Sequence, residues 1–109
     1  MIDMLNAVTG WNMNTEEVLL SGLRIQALRQ MFTVREGINP FDGAIHDRAL
    51  GIPPHDKGPH KGITIDLEKM KKAVYQELGY DPVTGLPTVD TANTLGLSKE
   101  LEELKLILE

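Results

Sequence analysis

The chain is 109 residues long and 41% apolar, with two Phe, two Tyr and one Trp and a formal charge of −5. That length makes a single domain, residues 1–109, whose core must be mostly aliphatic, which suits helices better than a β-sandwich. The acidic balance argues against nucleic acid or an anionic membrane as partner, and the absence of Cys excludes disulfides, thiolate nucleophiles, thiolate-bound zinc and iron–sulfur ligation within this chain.

No charged-then-apolar leader and no apolar run of about 18 residues stands in the sequence, so the default compartment is the cytoplasm. The first strong helix signal is Asn14-Thr15-Glu16-Glu17, a capping side chain three residues ahead of a Glu and just before an apolar run. It predicts a helix from about Thr15 to Glu36, terminated by Gly37. At 100° per residue, Leu19, Leu20, Leu23, Ala27, Met31 and Val34 share one apolar face, and Ile25, Leu28 and Phe32 share a second. Glu17, Arg24 and Arg35 fall between the two. Such a helix expects neighbours on two sides: either it is central in a small bundle with locally paired arginines, or Arg24 and Arg35 belong to a buried polar seam against another domain. Trp11 is expected to plug a helix–helix junction, and Met4, Met13, Met31 and Met70 to serve as aliphatic filler.

Five of the ten glycines and four of the six prolines lie between Gly37 and Ile65, which rules out a continuous helix there. Gly62-Ile63-Thr64-Ile65 is the one candidate strand. A loop of this length is uncommon in a compact domain unless it is functional or lies over something else. Ile38, Phe41, Ile45, Leu50 and Ile52 supply apolar anchors at irregular intervals. The expectation is therefore a strap that docks on a surface outside the chain; without that surface it folds back over the second face of the long helix or becomes mobile. The strap also holds all three histidines. His46, Asp47, His55, Asp56 and His60 are zinc-ligand types, but their spacing matches no fixed template and a Pro/Gly-rich backbone holds ligands loosely. A solvated loop is the expectation, with no metal site.

Asp66 opens a further helix to about Leu78, with Leu67, Met70, Val74 and Leu78 on one face and Gly79 behind it. Thr88 starts a short helix to Leu95-Gly96, and Ser98 caps a last one ending at Leu108. The fold class is all-α: a small irregular domain of four to five helices with one long Pro/Gly-rich loop. No Ser-His-Asp arrangement, phosphate-cradling Gly loop or carboxylate pair stands out.

Several separated motifs carry a family resemblance. Asn6-Ala7-Val8-Thr9-Gly10-Trp11, then Gly22, Arg24, Ile25, Leu28, Phe32 and Arg35-Glu36-Gly37, then Gly79, Asp81, Gly85, Pro87-Thr88 and Leu95-Gly96-Leu97 occur in the order and spacing of the tungsten-containing aldehyde:ferredoxin oxidoreductase family, at its extreme C-terminal region. In that family the helix resembles Gly-Glu-Arg-Ile-x-Asn-Leu-x-Arg-x-Phe-Asn-x-Arg-Glu-Gly and the tail Gly-Trp-Asp-x-x-Gly-x-Pro-Thr. The chain departs from the pattern at Leu23, Ala27, Thr33 and Tyr80, which replace Glu, Asn, Asn and Trp.

The resemblance implies the distal part of the C-terminal helical domain of an enzyme that interconverts aldehydes and carboxylates. That enzyme holds tungsten, or molybdenum in relatives, between two pterin dithiolenes, and passes electrons through a [4Fe–4S] cluster to ferredoxin. The implied partners are the remaining domains of the parent enzyme, with a homodimer as a substitute way of covering exposed surface. The implied role is packing, with Arg35 and Glu36 either an ion pair that fixes the following loop at the helix end or candidate contributors to a cofactor contact or channel wall. No cofactor and no catalysis are expected of this fragment alone. The alternative is a free-standing helical protein-interaction module using its amphipathic faces.

Overall fold

The computed structural model describes residues 1–108. It is all-α, with five helices: α1 (Ile2–Thr9), α2 (Thr15–Arg35), α3 (Leu67–Leu78), α4 (Val89–Leu95) and α5 (Ser98–Leu108). Among the described residues the β pairing is confined to two isolated bridges, His55 with Lys61 and Tyr80 with Pro87. The candidate strand at Gly62–Ile65 does not form.

Local chemistry explains where the helices begin and end. Asn14 closes the anticipated capping box: its Oδ1 accepts from the Glu17 amide at 2.9 Å, and Glu17 Oε2 accepts from the Asn14 amide at 2.8 Å. Asp66 and Thr88 likewise accept from Lys69 and Thr91 amides at the starts of α3 and α4. α2, α3 and α4 end in the same double hydrogen bond, in which a Gly amide and the amide after it reach back to the last turn. The residue after the glycine is Ile38, Tyr80 or Leu97; the last two are 6% and 3% exposed, so two of these stops feed a side chain directly into the core. α1 has no side-chain cap and no buried residue, and its brevity hid it from the sequence pattern. It is held to the chain by Asn6, whose amide donates to Met13 O and accepts from Met13 N, both at 2.8 Å.

The core joins Ala27, Met31 and Val34 of α2 to Tyr75 of α3, Ala92 and Leu95 of α4, and Leu101 and Leu104 of α5, with Tyr80, Leu86 and Leu97 from the connections. Of the first predicted face of α2, Leu20 packs against this core, but Leu19 and Leu23 do not. Three expectations need correction. Trp11 plugs no junction, since it is 66% exposed, and Met4 and Met70 are likewise exposed, leaving Met31 as the buried methionine. On α3, Tyr75 is the buried residue, while Met70 and Val74 of the predicted face stay bare.

The strap is not unstructured. It contains 3-10 turns at Pro40–Asp42 and Asp47–Leu50, and the Ile65 amide bonds back to Leu50 O at 2.8 Å. Phe41 meets Tyr75 edge-on with ring centroids 5.0 Å apart, and Leu50 is buried, whereas Ile38, Ile45 and Ile52 remain exposed. The strap does not cover the second face of α2: Ile25, Leu28 and Phe32 are 59%, 41% and 56% exposed.

The whole is a slab of 55 × 43 × 21 Å, about two helices thick. Its radius of gyration is 18.4 Å, against about 13 Å for a compact domain of this length. Its accessible surface is 8362 Å², about 2,300 Å² more than a compact monomer of the same mass exposes.

Candidate functional site

α2 organises the candidate site: its inner face carries the core and the polar contacts to the tail motif, and its outer face is left exposed. On its inner side, polar side chains fasten the tail motif to it. Gln30 Nε2 donates to Gly85 O at 2.8 Å and to the Tyr75 hydroxyl at 3.0 Å. Asn39 Nδ2 donates to Val83 O at 3.0 Å and Pro82 O at 3.3 Å, while its Oδ1 accepts from the Phe41 amide at 3.0 Å. Asp81 Oδ1 accepts from the Val83 and Thr84 amides and folds the intervening turn. Gly85 sits in this junction with φ +74, and a Cβ there would lie 2.6 Å from Asn39 Oδ1 and 3.1 Å from Val34 Cγ2. The Gly-Tyr-Asp-Pro-Val-Thr-Gly-Leu-Pro-Thr stretch is thus a folded clasp on α2. Sequence reasoning missed Gln30 and Asn39; the available signals were a Gln among the apolar positions of the helix and an Asn just before Pro40.

Arg24 does not form a seam against a neighbour within this chain. Its Nε donates to Leu95 O at 2.7 Å, satisfying a carbonyl at the C-terminal end of α4 where no intrahelical partner exists. Arg35 and Glu36 pair with each other, with the Arg35 guanidinium and Glu36 Oε1 3.0 Å apart, and their side chains are 45% and 52% exposed. The guanidinium also lies 4.6 Å from the Phe32 ring centre. An ion pair this open to water contributes at most about 1 kcal/mol. Its distinguishing feature is position: Arg35 lines a cleft of about 280 Å³ between α2 and α5, with Leu28 and Phe32 on one wall and Glu100, Glu103 and Ile107 on the other.

A second cleft, of about 270 Å³, lies across α2 between Leu20, Leu23, Leu78 and Tyr80, with Glu77, Asp90 and Thr94 at its rim. Burial pushes the Tyr80 phenol above its ordinary value of 10.0, and the neighbouring Tyr75 adds to the shift.

The strap does not assemble its metal-ligand types. His46 Nδ1 is occupied as an acceptor from the Arg48 amide at 3.1 Å, and among the described residues no three of His, Asp or Glu converge on a common point. With no cysteine in the chain, its residues do not fit an iron–sulfur cluster, which needs thiolate ligands. Among the described residues no helix is long and apolar enough to cross a membrane.

A family model described as aldehyde ferredoxin oxidoreductase, domains 2 and 3, matches residues 1–97. The tungsten-containing aldehyde ferredoxin oxidoreductase of Thermococcus kodakarensis is 30% identical over 99 residues, covering 91% of this chain and 16% of the relative. The Pyrococcus abyssi protein of the same name is 31% identical over 97 residues, covering 89% and 16%. The Pyrococcus furiosus one is 35% identical over 79 residues, covering 72% and 13%. The chain therefore spans about a sixth of the length of these relatives. No solved structure matches it.

Proposed function

This chain belongs to the aldehyde ferredoxin oxidoreductase family, and on that premise we propose that it is the distal part of the C-terminal helical domain of a tungstopterin, iron–sulfur enzyme that oxidises aldehydes to carboxylates. Its role is to pack against the remaining domains, with Arg35 and Glu36 at the wall of a channel or near the cofactor they enclose. Tungsten, pterin, cluster and the contact with ferredoxin then belong to polypeptide outside this chain, and no chemical step passes through its residues.

One observation carries this reading. Of the motif residues on and just after α2 that resemble the family, Arg24 is half-buried and holds Leu95 O, whereas Gly22, Ile25, Leu28, Phe32, Arg35 and Glu36 lie in solvent, while a different set of residues on the same helix builds the core. The exposed part of that pattern, which the isolated fold does not use for its own packing, is accounted for by a surface that meets the rest of the enzyme. The surplus of exposed surface points the same way.

The test is to purify the tagged chain from the cells that encode it and to quantify tungsten and iron in the product. Both metals are expected to co-purify with it, in a product that oxidises aldehyde with a ferredoxin or dye acceptor. Recovery of the chain with neither metal would refute the reading. It would favour an independent interaction module.

A further inference from the structure

We propose that the outer face of α2, from Val18 to Arg35, seats a single amphipathic helix supplied by the part of the enzyme that this chain does not span. The proposal rests on the reading above and adds the surface and the kind of segment that occupies it.

Val18, Ile25 and Phe32 recur at seven-residue spacing, with Ser21 and Leu28 between them. This is the 3.5-residue rhythm by which one helix receives the side chains of another. A strand or an irregular loop has no use for it. The row lies away from Ala27, Met31 and Val34, which α2 buries in its own core; Val18 and Ser21 in it are half-buried, and Ile25, Leu28 and Phe32 are bare, at 59%, 41% and 56% exposure. Gly22 lies on the exposed half of the same helix. A Cβ added there would meet nothing within 4 Å, so the isolated fold gives no packing reason for a glycine in mid-helix, where it costs about 1 kcal/mol relative to Ala. Beside Ser21, it lets a second backbone approach closely. From Val18 to Arg35 the face is about 27 Å long, enough for five turns of partner.

The charges state what the partner carries. Exposed Arg29 and Arg35 edge the face on α2, and Glu100 and Glu103 stand across the cleft on α5. The matching helix is apolar along one stripe, with carboxylates toward the arginines and Lys or Arg toward α5. A second copy of this chain fits less well. The surplus surface of about 2,300 Å² is well above the roughly 800 Å² per partner of a standard interface, and bare apolar residues also occur on α1 at Met4 and Val8 and on α3 at Met70 and Val74. A partner that encloses the slab covers all of them.

The experiment reads tungsten co-purifying with the tagged chain from its own cells, for the wild type, Ile25→Asp, Phe32→Asp and the control Val83→Asp, whose side chain is exposed on the clasp. The wild type and the control are expected to retain tungsten equally, the two seam variants to lose at least ten-fold, and Phe32→Leu to restore it. Because both seam side chains are exposed in the isolated chain, circular dichroism of the purified variants should match the wild type. If an aspartate lowers helicity, Ile25→Ala and Phe32→Ala decide, and unchanged tungsten in them overturns the proposal. Tungsten retained by Ile25→Asp and Phe32→Asp overturns the seat while leaving the family reading intact. No tungsten with the wild type refutes the reading itself. A wild-type dimer in sedimentation that the seam variants convert to monomer makes a second copy the occupant and overturns the proposal.

Discussion

Replacing Gly85 by Ala separates two costs that the clasp combines. At φ +74 an L side chain pays the left-handed penalty, about 1–2 kcal/mol. The new Cβ would also lie 2.6 Å from Asn39 Oδ1, so Asn39 must swing away from its three hydrogen bonds to Val83 O, Pro82 O and the Phe41 amide. These are partly exposed and count at the low end of about 0.5–1.5 kcal/mol each. The total comes to about 2–4 kcal/mol. Gly96 is the comparator: its φ is +69, and a Cβ there meets nothing within 4 Å, so Gly96→Ala carries the backbone penalty alone. Urea unfolding followed by circular dichroism at 222 nm should place Gly85→Ala about 1–2 kcal/mol below Gly96→Ala, a difference of several degrees in Tm for a domain this size. In an Asn39→Ala background the gap should shrink, because the clashing oxygen is gone. Equal losses at the two glycines, or strict additivity of Gly85→Ala with Asn39→Ala, would refute the clasp.

Neighbouring residues on α2 should behave oppositely. Met31→Ala, at 4% exposure, is expected to cost about 2–4 kcal/mol in the same assay, and Phe32→Ala, at 56% exposure, about 1 kcal/mol or less. The raised phenol of Tyr80 makes stability fall at alkaline pH. Above about pH 10 the unfolded chain gives up this proton first, so stability present below that point is lost as pH rises through the folded value, and Tyr80→Phe should flatten the loss in melts from pH 9 to 11.5. The chain produced alone should carry no stoichiometric tungsten or iron by elemental analysis and oxidise no aldehyde, since it offers no thiolate to a cluster and, on the proposed reading, the pterins that hold tungsten are bound outside it; retained metal would contradict the assignment. In hydrogen exchange, the amides of His55, Asp56, Lys57, Gly58 and His60 should exchange nearly freely, with slowing at Gly62 and Ile65, which bond to His55 O and Leu50 O. Uniformly strong protection across residues 38–60 in a dilute monomer would show that the strap needs no neighbour.

Helix boundaries were legible in the sequence because they are set within a few residues. Asn14 with Glu17, Asp66, Thr88 and the glycines at 37, 79 and 96 act through hydrogen bonds that span one turn, so α2, α3 and α4 start and stop within a residue of expectation. The presence of two apolar faces on α2 was equally readable, since angular position on a helix follows from residue number alone. Tertiary structure decided which of those faces is used. Ala27, Met31 and Val34 are buried while Ile25, Leu28 and Phe32 are not, a choice that hydrophobicity cannot make, because both sets are apolar and the answer depends on where α4 and α5 arrive. The same holds for the polar contacts. Arg24 reaches a carbonyl 71 positions away, and Gln30 reaches Gly85 across 55; no local pattern encodes partners at such distances, which exist only once the clasp has folded back on the helix. Trp11 and α1 mark the other limit: their apolar character was plain in the sequence, but burial requires a second surface, and within these residues the chain folds none against them.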